Sequence, residues 1–203
     1  MCSNLEYMKL DSISKYYNYE DFFQHTASLV ENNSSSGEAT EEQIHFTALN
    51  QKRMERWNKT LQLSEEFSSI LHNLKQEQIW VVITESWCGD SSQLLPVIAK
   101  VVAESNGKIE LRIIFRDEHP AWIEEYHTNG SKSIPKLISF DKEGNQLFVW
   151  GPRPAEAVEL FKEYKALNGE MTKEQFHINL HAWYAKDKGH GVMKELEDIL
   201  IKY

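Results

Sequence analysis

"ITESWCGDSSQLLP" (Ile83–Pro96) is the stretch on which the reading of this chain turns. It begins in "IWVVI" (Ile79–Ile83), a continuous apolar and largely β-branched run that predicts a strand buried on both faces. It runs on into a segment whose apolar spacing predicts a helix from about Cys88 to Glu104. Cys88 therefore falls where a strand gives way to a helix. Backbone N–H groups and the helix dipole stabilise negative charge at such a place, which favours the thiolate. Gly89, Asp90 and Ser91 are turn-forming neighbours, so the expectation is a solvent-facing Cys88 with a lowered pKa, not a core cysteine. Gly89 would let the backbone turn tightly and leave the sulfur open, while Trp87 would shield one side.

Working outward, "KIELRIIF" (Lys108–Phe115) reads as a second strand. "HPAWIEEYHTNG" (His119–Gly130) has helical character, and "SIPKLISFD" (Ser133–Asp141) reads as a strand. A turn at Asp141–Gly144 leads to "QLFVW" (Gln146–Trp150), which completes a hairpin. After the break at Gly151–Pro154 comes a helix bearing Val158, Leu160, Phe161 and Tyr164. On the other side, "KTLQL" (Lys59–Leu63) alternates like a short strand, and Ser64 caps a helix with Phe67, Ile70, Leu71 and Leu74. The order β-α-β-α-β-α-β-β-α predicts a mixed sheet with right-handed crossovers and helices on both faces.

The flanks are helical as well. Tyr16, Tyr17, Tyr19, Phe22 and Phe23 predict a packed helical segment, and "ENNSSSGEATEE" (Glu31–Glu42) a polar loop. Thr40 with Gln43 forms a capping box for a helix carrying Ile44, Leu49, Met54 and Trp57. Beyond Asn168–Gly169, Thr172 with Gln175 repeats that signature. Phe176, Leu180, Trp183 and Tyr184 line one face of the helix it opens. After Gly189 and Gly191, Val192, Leu196, Ile199 and Leu200 line another. These stripes should pack on the core or form a homodimer interface. The expected division is 1–58, helical extension; 59–167, α/β domain; 168–203, helical extension.

Composition narrows the partners. The 203 residues carry a formal net charge of -9, a surface that repels nucleic acid and anionic membranes. With 41% hydrophobic residues the chain can build a core, yet no apolar run reaches the length of a membrane span. The first residues lack the basic and apolar regions of a secretory signal. There are 2 cysteines, Cys2 and Cys88, too few for a disulfide framework, so a cytoplasmic location is expected. Cys2 reads as incidental. His177 and His181, four apart on a helix, favour a solvated or packed face over a metal site, and no metal or other cofactor is expected.

"WCGDS" (Trp87–Ser91) resembles the active-site motif of the thioredoxin superfamily, whose usual form is Trp-Cys-Gly-X-Cys. Pro96 matches the proline that kinks that family's active-site helix. "SIPKLISF" resembles the segment holding its cis-proline, which would make Ile134–Pro135 the cis peptide. The likeness covers about Lys59 to Leu167 and implies a thioredoxin-like three-layer fold. It also implies thiol–disulfide chemistry at Cys88, with Trp87, Gly89, Asp90, Ile134 and Pro135 around the substrate. Protein thiols or disulfides and glutathione are the partners implied. Three departures stand out. Ser91 replaces the resolving cysteine, and its hydroxyl can bond a thiolate but form no disulfide. Asp90 brings a charge that opposes ionisation of Cys88. Val82 and Ile113 stand where the family's buried aspartate and its lysine neighbour would align, with Glu85 on the opposite strand face unless the strand ends before it. The functional expectation is a monothiol oxidoreductase. A non-catalytic peptide-binding module and a peroxide-sensing cysteine are the alternatives.

Overall fold

A computed structural model describes residues 10–203; Cys2 lies outside the described residues. After a short 3₁₀ turn at Leu10–Ser12 the order is α1 (Tyr19–Glu31), α2 (Glu41–Thr60), α3 (Glu65–His72), β1 (Gln78–Thr84) and α4 (Gly89–Glu104). Then follow β2 (Ile109–Phe115), α5 (Pro120–Glu125), β3 (Lys136–Asp141), β4 (Gln146–Trp150), α6 (Ala155–Ala166), α7 (Lys173–Asp187) and α8 (His190–Leu200). The sheet runs β2-β1-β3-β4, with β1 parallel to β2 and antiparallel to β3, and β3 antiparallel to β4. This is a thioredoxin-like α/β fold with a mixed central sheet and flanking helices.

The sequence signals that hold are the local ones. Ser64 caps α3, and both Thr40–Gln43 and Thr172–Gln175 form complete capping boxes. "KTLQL" departs from expectation. α2 continues to Thr60, whose hydroxyl donates back to the Arg56 carbonyl at 3.0 Å, and Leu61 closes the helix. Tyr17 exchanges two backbone hydrogen bonds with Ile113, at 2.9 and 2.8 Å, and blunts the β2 edge of the sheet.

Strand alternation sorts the core into two layers. Trp80, Val82, Ile113 and Leu137 face a helical layer built by α1–α4 and α6–α8. Val81, Ile83, Ile114, Ile138 and Phe140 face α5 with Trp122, Ile123 and Ile13. Val82 and Ile113 are register partners on β1 and β2, each fully buried, so the sheet beneath the motif is apolar. Pro96 sits buried inside α4.

The tail stripe lies within the chain itself. Phe176, Leu180 and Tyr184 of α7 and Val192, Leu196 and Leu200 of α8 all enter the main core, with Trp183 half-buried beside them. Among the described residues no helix is long and apolar enough to cross a membrane.

Leu196 has no exposed surface. Leu196→Ala should cost about 2–5 kcal/mol of unfolding free energy in a urea titration followed by circular dichroism. A change below about 0.5 kcal/mol would mean that α8 contributes little to the core.

Candidate functional site

Cys88 is the N-cap of α4, in a turn closed by its own N–H on the Glu85 carbonyl at 3.1 Å. Its thiol donates to the Ile134 carbonyl oxygen at 3.4 Å, and the Ile134–Pro135 peptide that carries this oxygen is cis. The structure thus brings Cys88 together with Trp87, Gly89, Asp90, Ser91, Ile134 and Pro135. Their environment differs from the one the motif suggests.

Cys88 is 7% exposed. Burial, followed by the Asp90 charge, pushes its thiol up to about 11, against the pull of the Ser91 N–H and hydroxyl and of Arg153. The expected solvent-facing thiol with a lowered pKa is therefore overturned. Desolvation of the thiolate outweighs the helix-end groups because the flanking helices have removed its water. Ser91 is buried as well. It accepts from the Thr84 hydroxyl at 2.6 Å, which leaves its own proton free for the sulfur.

Asp90 is not solvated either. At 8% exposure it accepts from Arg153 Nη2 at 2.6 Å on one oxygen and from the Tyr184 hydroxyl at 2.7 Å on the other. Burial and this carboxylate keep the Tyr184 phenol protonated, with its pKa well above the usual value. The Arg153 guanidinium also lies over the Phe161 ring, 5.0 Å from its centroid.

Gly89 is glycine for a reason other than backbone freedom. A Cβ there would stand 3.0 Å from His181 Nε2 and 3.6 Å from Arg53 Nη1. His181 belongs to a hydrogen-bond chain across three helices. Trp57 Nε1 of α2 donates to Gln93 Oε1 of α4 at 2.6 Å, and the Gln93 amide nitrogen donates to His181 Nδ1 of α7 at 3.1 Å. Burial and the Arg53 charge lower the His181 pKa to about 4. The spacing of His177 and His181 thus serves packing, with His177 half-buried between the Phe46 and Phe176 rings. Among the described residues no group of three or more His, Cys, Asp and Glu stands together to hold a metal.

The polar loop before α2 is a buried clamp. Ser36 N–H donates to Ser86 Oγ at 3.0 Å and Ser86 N–H to Ser36 Oγ at 2.9 Å. Asn50 Nδ2 reaches the Ser86 carbonyl at 3.0 Å. β1 ends at Thr84, so Glu85 lies beyond the strand, where it accepts from the Ser36 hydroxyl and, at 2.9 Å, from the Asp117 N–H. Burial raises its pKa. It serves the loop, not the thiol.

These elements enclose a pocket of about 380 Å³ over the motif. Cys88, Asp90 and Leu180 are its buried lining. Trp87, Arg153, His177 and His181 are half-buried walls, and Glu42 and Lys173 lie at the exposed rim. Sequence reasoning missed Arg153, Arg53 and Tyr184. The two histidines on the α7 stripe were its only signal that this helix faces the motif.

A family model described as thioredoxin matches residues 37–165, more than half of the chain. The comparison with curated proteins gave no match. Two solved structures share the fold. One is a protein of unknown function from Pseudomonas aeruginosa, 19% identical, covering 91% of this chain and 97% of that one at a TM-score of 0.57. The other is an HIV epitope scaffold, 18% identical, covering 87% and 98% at 0.56. At these identities the likeness is one of fold.

Two measurements test this electrostatic picture. Asp90→Asn removes the charge that opposes ionisation and frees Arg153, so the Cys88 pKa should fall and alkylation by iodoacetamide near pH ~8 should speed up. An unchanged pH profile would mean that burial acts alone. His181 is protonated in the unfolded chain below its usual pKa of about 6.5, but in the folded chain only below about 4. The unfolded state thus binds more protons across that window, and stability should fall as pH drops through it. His181→Gln should flatten this part of the curve in urea titrations.

Proposed function

The chain belongs to the thioredoxin family, and we propose that it acts as a monothiol thiol–disulfide oxidoreductase through a mixed disulfide at Cys88. One observation carries the reading: the thiol lines a pocket and meets the Ile134 carbonyl, with Ser91 where a second thiol would stand. Among the described residues Cys88 is the only cysteine.

The Cys88 thiol gives up its proton and the thiolate attacks one sulfur of a disulfide. The bond from Cys88 to that sulfur forms as the partner's S–S bond breaks, and the leaving thiolate takes up a proton. Ser91, with its hydroxyl proton free, supports the developing thiolate but cannot expel the partner. Release therefore needs an external thiol. Protein disulfides and glutathione are the candidate partners. In this reading residues 59–167 supply the thiol and the Trp87 and Arg153 walls, while α2 and α7, from the expected helical extensions, supply the rest. A pKa of about 11 makes the exchange slow at neutral pH. The same value favours a second reading, in which Cys88 stays a neutral thiol and the pocket binds without turnover.

Intact-mass measurement after exposure to oxidised glutathione, at about pH 7 and about pH 9, separates them. Wild type should gain one glutathione, faster at the higher pH, and lose it to dithiothreitol, whereas Cys88→Ser should gain none. No adduct at either pH would leave the binding-module reading in its place.

A further inference from the structure

We propose that the pocket over Cys88 selects a small, carboxylate-bearing disulfide, whose anionic end is held by Lys173 and Arg153; this rests on the mixed-disulfide reading of Cys88. Size is the first argument. The pocket holds about 380 Å³, within the range of small-molecule sites, about 300–1,000 Å³. α2 and α7 wall it so closely that Cys88 keeps 7% exposure, which shuts out a disulfide fixed on a folded protein surface.

Charge is the second. The whole chain carries -9, yet this lining sets two cations, Lys173 at the rim and Arg153 in the wall, against its acids. Among the described residues Lys173 has no carboxylate within 4.0 Å. Two acids oppose them. Asp90 has both oxygens engaged, by Arg153 and Tyr184, and Glu42 is exposed at the rim. Arg153 spends Nη2 on Asp90, while its Nε is enclosed with no acceptor. A bound carboxylate would meet the unpaired Lys173 ammonium at the rim, beside the Arg153 charge in the wall. The exchange itself balances as before: the Cys88 thiol and R–S–S–R give Cys88–S–S–R and R–SH.

Two experiments separate this inference from the reading beneath it. Wild-type adduct rates are compared for oxidised glutathione, neutral 2-hydroxyethyl disulfide and cationic cystamine. Binding of S-methylglutathione, which cannot exchange, is measured on Cys88→Ser by NMR titration. Oxidised glutathione should react fastest, with a preference that shrinks in added salt. S-methylglutathione should shift the resonances of α2 and α7. Lys173→Gln should weaken both effects about three- to fivefold, while Lys186→Gln on the same helix should weaken neither. Equal or faster reaction with cystamine, or no binding of S-methylglutathione, overturns the inference and leaves the redox reading intact. Binding on Cys88→Ser without any adduct on wild type overturns the redox reading and keeps the pocket's preference for anions.

Discussion

The Asp90 carboxylate, closed between the Arg153 guanidinium and the Tyr184 hydroxyl, is the contact on which the arrangement of the site depends. A buried ion costs several kcal/mol unless it is paired and hydrogen-bonded. Here three parts of the chain meet that demand: the first turn of α4 brings the charge, the turn after β4 the cation, and α7 the hydroxyl. Parting the first two would strand a charge, and withdrawing α7 would cost the carboxylate a hydrogen bond. With α7 held in this way, the space over the thiol becomes a pocket, and the thiol loses its water. The same carboxylate then raises the cost of ionising its neighbour. The interaction that builds the enclosure is thus also part of what quietens the cysteine.

The fold was legible because its signals are local. A buried β-branched run, a proline inside an amphipathic helix, two capping boxes and an apolar stripe on each tail helix need only neighbours a few residues apart. The state of Cys88 was not legible, because it is set by distant partners. Asp90 and Tyr184 are 94 residues apart in the chain. Gly, Asp and Ser beside a cysteine look like a solvated turn until helices from both ends of the chain cover them. Ser35 and Ser36 misled in the same way. Their hydroxyls meet those of Thr47 and Ser86, so a polar stretch becomes interior. At Lys59–Leu63 the alternation was real, but its first residues belong to the last turn of α2.

Apolar Val82 and Ile113 make the layer beneath the motif dry, while the layer above it is rich in hydrogen bonds. The thiol itself turns to neither layer's side chains but to the Ile134 carbonyl. Trp57, Gln93 and His181 keep the layer above the motif rigid across three helices. A low His181 pKa lets its ring remain an acceptor in the chain instead of becoming a competing cation.

The near-contact between Gly89 and His181 also limits how this sequence can change. A methyl group at position 89 would arrive 3.0 Å from the imidazole nitrogen, a distance at which one of them must shift. The ring is pinned by Gln93, and Gln93 by Trp57, so it has little room to withdraw. A smaller side chain at 181 makes room for a larger one at 89. The third letter of the Trp-Cys-Gly motif and a residue 92 positions later are thus coupled, and substitutions at the two should not add independently.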